Sequence, residues 1–319
     1  MQDNKTLINK KNISGIVLKS TGNVITVKAE EGFIIHCKVK GNFRIKNIKN
    51  TSPVAVGDRV ILDVEENNEY GIIKEIEVRK NYIIRKSTNL SRQSHIIAAN
   101  IDQAFLIITL KFPETSAEFI DRYLVSAEAF RIPVILIFNK IDIYDDIINA
   151  KLDKIIDTYT KAKYLCIKTS FILNINIEFI KQKIENKITL ISGLSGVGKS
   201  LLINKIDPNL SIKTGEISAY HKSGKHTTTF TEMYALSDGG YIIDTPGIRG
   251  FGIIDINKEE LYHFFPEIFN HSRNCKFHNC LHIKEPGCAV LKALNEGLIS
   301  QSRYNSYYSL FHDENEKYR

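Results

Sequence analysis

Gly193-Leu194-Ser195-Gly196-Val197-Gly198-Lys199-Ser200 fits the pattern G-x-x-x-x-G-K-[ST] at every position. The apolar run Ile188-Thr189-Leu190-Ile191 leads into it, and Leu201-Leu202-Ile203-Asn204-Lys205-Ile206 leaves it with helix-forming character. Strand, glycine-rich loop and helix are the context in which this pattern binds phosphate. The glycines let successive N–H groups turn inward around phosphate oxygens at a helix N-terminus. In this reading Lys199 reaches the β- and γ-phosphates and the Ser200 hydroxyl ligates Mg²⁺. A glycine-rich turn that held Lys-Ser by chance would need neither the strand before it nor the helix after it.

Upstream of the loop, apolar strands alternate with amphipathic segments. Ala104-Phe105-Leu106-Ile107-Ile108 reads as a buried parallel strand, and Phe119, Tyr123, Leu124 and Ala127 follow at helical spacing. Val134-Ile135-Leu136-Ile137-Phe138 is a second strand and Lys163-Tyr164-Leu165-Cys166-Ile167 a third. The expected fold here is a doubly wound α/β domain with its loops gathered at the C-terminal strand ends.

The second strand runs into Asn139-Lys140-Ile141-Asp142, of N-K-x-D form. A carboxylate at Asp142 accepts two hydrogen bonds from the N1 and N2 donors of guanine, which adenine lacks, so the motif selects GTP. Thr169-Ser170, at the end of the third strand, is a candidate backbone contact to the guanine O6. Downstream, Tyr241-Ile242-Ile243-Asp244-Thr245-Pro246-Gly247 reads as a strand ending in D-x-x-G. Asp244 would hold Mg²⁺ through water and the Gly247 N–H would touch the γ-phosphate. Between lies a polar segment with His226-Thr227-Thr228-Thr229, where Thr227 and Thr228 are candidates for closing on the nucleotide. Lys199, Asp244 and His226 are the catalytic candidates. His226 is included because Ile248 stands where ordinary small GTPases carry a water-positioning glutamine. Slow intrinsic hydrolysis, accelerated by a partner, follows.

The order of these motifs is itself informative. N-K-x-D at 139 precedes the phosphate loop at 193, which precedes D-x-x-G at 244, so the domain is circularly permuted relative to ordinary small GTPases. The D-x-x-G segment then leads directly into the C-terminal region, and a nucleotide-dependent shift near Gly247 would act on it.

Before this domain, short strand-like runs occur at Ile13–Leu18, Val24–Val27, Phe33–Cys37, Arg59–Val64 and Tyr70–Ile76, punctuated by Gly22-Asn23, Glu31-Gly32 and Gly57-Asp58. Five such strands fit a closed barrel of the OB type, a common nucleic-acid binder. The charge supports that use. Residues 1–92 hold 17 Lys+Arg against 10 Asp+Glu, so they carry the whole net charge of +7 of the 319-residue chain. Arg44, Lys46, Lys49, Arg79, Lys80, Arg85 and Lys86 are candidate RNA contacts; the competing reading is a solvated lysine-rich surface.

After the GTPase motifs comes Cys275-x₄-Cys280-x-His282-x₅-Cys288, a Cys₃His set suited to tetrahedral structural Zn²⁺. His271 and His278 are competing ligands by spacing. Asn257 and Glu260 mark a helix start, with Leu261, Phe264, Phe265 and Ile268 on one face. Tyr304, Tyr307, Tyr308 and Phe311 form a later stripe, expected as core in preference to an RNA-stacking surface. The polar start, Met1 to Asn12, has no signal-like apolar stretch, so a cytoplasmic monomer with no membrane association is expected.

Taken together, the barrel with its G-D turn, the permuted motif order, Asp244-Thr245-Pro246-Gly247-Ile248-Arg249-Gly250-Phe251 and the Cys/His cluster resemble the bacterial ribosome small-subunit-dependent GTPase A family. The resemblance implies three domains: an OB domain (1–92), a permuted GTPase domain (93–254) and a helical zinc domain (255–319). It also implies binding to the small ribosomal subunit and its rRNA late in assembly. An RNA-binding module with a structural nucleotide pocket, or an ATPase or kinase, are the alternatives.

Overall fold

The computed structural model describes residues 10–21, 24–39, 53–64, 70–86, 94–210, 231–244 and 256–312. The chain divides into two compact units, the first drawn from Met1–Asp102, Ile184–Leu190 and Gly224–Gly247, the second from Gln103–Lys183, Ile191–Ser223 and Ile248–Arg319.

In the first unit, five strands alternate apolar and polar residues and bury one face. They are β1 (Lys10–Ser20), β2 (Ile25–Ala29), β3 (Ile34–Val39), β4 (Arg59–Val64) and β5 (Gly71–Ile76). Their order β1-β2-β3-β5-β4, with an additional β1–β4 pairing, closes the barrel in OB-like fashion. Val17, Val27, Cys37, Val60, Leu62 and Ile73 fill it and are fully buried. Truncating one of them, Leu62→Ala for instance, costs about 2–5 kcal/mol.

The Gly57-Asp58 turn ties the barrel to the next hairpin, β6 (Tyr82–Lys86) with β7 (Ser94–Ala99). Gly57 has φ +86, and a Cβ there would lie 2.2 Å from the Ala99 carbonyl oxygen. Asp58 accepts from the Ala55 N–H at 2.8 Å and from Arg79 Nε and Nη2 at 2.6 and 2.7 Å. The pair is buried. Arg79 is therefore not a free RNA contact, contrary to the expectation from charge: its guanidinium is committed to Asp58 and to the Pro53 carbonyl. Lys80 is likewise paired, with Asp102. Arg44, Lys46 and Lys49 lie outside the described residues. The same unit carries the antiparallel pair β12 (Glu232–Ala235) and β13 (Tyr241–Asp244), and β12 meets β1 at Lys19↔Glu232.

In the second unit, β8 (Gln103–Ile108), β9 (Val134–Phe138) and β10 (Leu165–Lys168) pair in parallel, in the order β10-β9-β8; β11 (Ile188–Gly193) belongs to the first unit up to Leu190 and to the second from Ile191. Every residue of β8, β9 and β11 is buried, as near-continuous apolar runs require. Helix α1 (Ala117–Ala129) begins at Ser116, whose hydroxyl accepts from the Phe119 N–H, and buries Ile120, Tyr123, Leu124 and Val125. Helix α2 (Asp146–Lys161) begins at Asp145, which accepts from Ile148 N–H. Such side chains satisfy donors that the first helical turn cannot pair internally, at a value of about 1 kcal/mol each. Helices α3 (Ile177–Ile184) and α4 (Lys199–Ile206) follow.

The C-terminal part of this unit comprises a 3₁₀ segment Lys258–Phe264 and helices α5 (Pro266–Ser272), α6 (Ala289–Asn295) and α7 (Gln301–His312). The single helix expected from Asn257 is thus two pieces. Pro266 has no N–H to continue a helix from the preceding turn, and it opens a new helix at the first position instead. Leu261, Phe265, Ile268, Val290, Ile299, Tyr304 and Tyr307 form one core with Val125 of α1. Tyr304 and Tyr307 are core, as expected, whereas Tyr308 is 45% exposed. Among the described residues, no helix is long and apolar enough to cross a membrane.

Candidate active site and metal centre

Three sequence motifs of the second unit converge through one side chain. Asn139, buried at the end of β9, donates from Nδ2 to the Val197 carbonyl of the phosphate loop at 2.8 Å. Its Oδ1 accepts from the Phe171 N–H at 3.1 Å, immediately after Thr169-Ser170. The neighbouring Lys140 has φ +68, and its ammonium donates to the Gly196 carbonyl at 2.8 Å and to the Phe112 carbonyl. Burial pushes this ammonium below the ordinary lysine range, against the pull of Asp142. Ile141 donates its N–H to the Thr169 carbonyl at 3.3 Å, and Asp142 is exposed at the loop edge. The N-K-x-D motif, the phosphate loop and the Thr169-Ser170 turn therefore share one rim.

The loop itself runs from Gly193 to the start of α4. Gly198 has φ +108, and a Cβ there would lie 2.8 Å from Asn139 Nδ2 and 3.0 Å from the Phe171 ring, so only glycine fits. Lys199 Nζ donates to the carbonyls of Gly193 and Leu194 at 2.9 and 2.8 Å, on the inner side of the loop. Ser200 is the second residue of α4 and half-buried. Leu194, Ser195 and Gly196 form the outer part of the turn. Thr169 and Ser170 use their hydroxyls internally, Thr169 donating to the Ile175 carbonyl at 2.6 Å and Ser170 accepting from Leu173 N–H at 3.2 Å. Their side chains shape the turn.

Asp244 ends β13 in the first unit and is buried. His226, Thr227, Thr228 and Gly247 lie outside the described residues. Three contributors escaped the sequence reading: the Phe171 ring against Gly198, the Phe112 carbonyl, and Tyr144. The Tyr144 hydroxyl accepts from the Leu110 N–H at 2.8 Å and donates to the Asn139 carbonyl at 2.7 Å. Nothing in the local pattern around Tyr144 marks it out.

Cys275, Cys280, His282 and Cys288 bring one ligand atom each within 4.8 Å of one another. His282 Nδ1 lies 3.6 and 3.5 Å from the sulfurs of Cys275 and Cys288, which are 3.9 Å apart. Tetrahedral Zn²⁺ with ordinary Zn–S and Zn–N lengths requires donor separations of about 3.5–3.8 Å; Cys275, His282 and Cys288 stand close to that spacing, and the Cys₃His donor set, all within 4.8 Å, suits that ion. Burial, reinforced by the neighbouring Cys288 and Cys275 thiols, pushes the Cys280 thiol up to about 12, and burial holds the His282 imidazole below its ordinary value against the pull of Glu285. A neutral imidazole is a ready ligand, while the thiols need a cation to displace their protons. Helix α7 fixes the cluster from behind: Tyr304 donates to the His282 carbonyl at 2.8 Å and Tyr307 to the Leu281 carbonyl at 2.6 Å. Neither His271 nor His278 belongs to the convergent set.

A short step from the cluster along α7, Arg303 is fully buried. It pairs with Glu267 of α5 at 2.6 and 3.2 Å and with Asp121 of α1 at 2.8 Å, while its guanidinium carbon stands 4.6 Å from the Phe265 ring centroid. Tyr159 donates to the same Asp121 oxygen at 2.9 Å.

Comparison with known proteins agrees with this geometry. The family profile described as RsgA GTPase matches residues 76–254, and that of the RsgA N-terminal domain matches residues 14–73. A Bacteroides fragilis protein named small ribosomal subunit biogenesis GTPase RsgA is 54% identical over 308 residues, covering 96% of this chain and 99% of its own. A protein of the same name from Porphyromonas gingivalis is 48% identical over 312 residues, covering 96% of this chain and 99% of its own. Among solved structures, YjeQ from Thermotoga maritima matches with a TM-score of 0.78 and 36% identity, covering 94% of this chain and 97% of that one. YloQ, described as a circularly permuted GTPase, matches with a TM-score of 0.74 and 30% identity, covering 98% and 96%.

Proposed function

The chain belongs to the RsgA GTPase family and hydrolyses GTP, and from that premise we propose that it is an assembly factor acting on the small ribosomal subunit late in its maturation. The GTP form binds the subunit and its rRNA, and hydrolysis lets the factor leave. Supporting this is the direct bonding of Asn139 and Lys140 to the phosphate-loop carbonyls of Val197 and Gly196, which joins guanine recognition to phosphate recognition.

In this reading Asp142 accepts from the guanine N1 and N2 donors, and its exposure leaves it open to the base. Thr169 and Ser170 offer backbone to the base. Residues Gly193 to Ser200 wrap the phosphates with N–H groups, and Lys199 turns its ammonium from the loop carbonyls to the β- and γ-phosphates. Ser200 and Asp244 are the residues that would hold Mg²⁺, which supplies charge neutralisation at the phosphates when bound with the nucleotide. Thr227, Thr228 and Gly247 respond to the γ-phosphate, and His226 positions water, with the small subunit supplying or ordering what Ile248 cannot. Cys275, Cys280, His282 and Cys288 hold one structural Zn²⁺ with no open position for catalysis.

We further assign residues 1–92 to RNA binding, 93–254 to the GTPase and 255–319 to the zinc-holding domain, in a cytoplasmic monomer. The test is GTP hydrolysis by purified protein alone, with small subunits, and with large subunits as control. Strong stimulation by small subunits only is expected. Equal rates in all three, with GTP still bound, would refute the coupling to the subunit.

A further inference from the structure

Between β8 and α1 the chain turns at Lys111-Phe112-Pro113. Phe112 sits at φ +49 with 71% of its surface exposed. The left-handed region disfavours bulky L side chains, and an exposed ring gains little from burial to offset that cost. Asparagine or glycine would suit this turn better. The ring therefore does nothing for the fold that its conformation would justify.

Its surroundings suggest what it does instead. The Phe112 carbonyl accepts from Lys140 Nζ, and the same ammonium reaches the Gly196 carbonyl. On the other side, Pro113 Cδ lies 3.6 Å from the position of a Cβ on Gly196. The turn is thus fastened both to the guanine motif and to the outer bend of the phosphate loop. A nucleotide that spans those two has its sugar between them. Lys111 adds a positive charge 5.5 Å from the ring centroid, which favours a ligand carrying phosphate.

We propose that Phe112 is a nucleotide-contacting residue, its ring packing against the ribose of bound GTP or GDP. This rests on the reading of the site as a GTP site. The backbone of the turn holds Lys140, and the side chain closes the sugar side of the pocket.

The test is calorimetric titration of the full-length protein with unlabelled GDP and GTP, using wild type, F112N and F112Y. Asparagine tolerates the left-handed backbone, so F112N removes the ring and keeps the turn. The expected result is about five- to tenfold weaker binding of both nucleotides by F112N, restored by F112Y. The melting temperature of nucleotide-free F112N should be unchanged or higher, which separates contact from folding. GDP affinity within twofold of wild type in F112N overturns the proposal. So does a loss of small-subunit binding with nucleotide affinity intact, which would put the ring against the ribosome. A wild type that takes up no GDP would instead overturn the reading of the site, and this proposal with it.

Discussion

Replacing Arg303 by methionine removes the guanidinium that pairs with Asp121 and Glu267 in a buried cluster, while keeping a side chain of comparable length. Arg303 and Asp121 are each 1% exposed at the side chain and Glu267 is 7% exposed, so solvent cannot take over the role of the guanidinium. Breaking a buried pair from one side costs about 3–5 kcal/mol, because the remaining charge is stranded. For a unit of this size that corresponds to a fall of roughly 6–20 °C in melting temperature. The pH dependence gives a second signature. Burial already raises the Asp121 carboxyl above its ordinary value, with Arg303 opposing it. Without Arg303 the opposing pull is gone, and the folded-state value of Asp121 rises further above its unfolded value. A carboxyl raised in this way contributes stability below its unfolded value and loses it as pH rises through the folded one. The variant should therefore regain stability on acidification from about pH 8 towards pH 5, as the raised Asp121 carboxyl takes up its proton. Adding D121N and E267Q should recover much of the loss at pH 8, since no charge is then stranded. Thermal and urea unfolding followed by circular dichroism read all three effects. A variant within 1 kcal/mol of wild type at pH 8, or one with no recovery in acid, would refute the reasoning.

Gly57→Ala puts a methyl into the Ala99 carbonyl oxygen at a φ that alanine avoids, and should destabilise the barrel by about 2 kcal/mol or more, read by urea unfolding. Asp142→Asn should move nucleotide preference from GTP to XTP, measured by competition binding; unchanged GTP preference would remove Asp142 from base recognition. Cys288→Ser should abolish stoichiometric zinc, measured by metal analysis of the purified protein. Because burial keeps the Cys280 and Cys288 thiols above their ordinary values, binding must release protons, so wild type should lose zinc as pH falls.

Local chemistry was the part most legible in the sequence. The phosphate loop and N-K-x-D could be read because each is a contiguous stretch whose residue types answer one ligand group, and their shared rim is made by the Asn139 and Lys140 bonds to the Val197 and Gly196 carbonyls. The five barrel strands were readable because Val27, Cys37 and Leu62 alternate with polar neighbours. What escaped depends on partners distant in sequence. Arg79 and Lys80 looked like free cations because Asp58 and Asp102 stand 21 and 22 residues away. Arg303, flanked by Ser302 and Tyr304, reads as one more polar residue on a helix, and only the fold brings Asp121 and Glu267 to it. Pro266 lies within the apolar stripe that runs from Leu261 to Ile268 at helical spacing, and a missing N–H cannot be supplied by spacing.

The ion cluster also has a consequence for how the protein is made. Asp121 and Arg303 are 182 residues apart in the chain, and at ordinary translation speeds roughly 10–40 s separate their synthesis. Throughout that interval α1 carries a carboxylate destined for the interior with no cation to meet it. A chain interrupted between Ser200 and Arg303 never acquires that cation, even though both guanine and phosphate motifs are already complete. Such a fragment would present a nucleotide site on a destabilised scaffold, and should be a ready substrate for cellular proteases. Arg303 thus acts as a seal of completeness: the folded state becomes secure only once the helix that braces the Cys₃His cluster has been made.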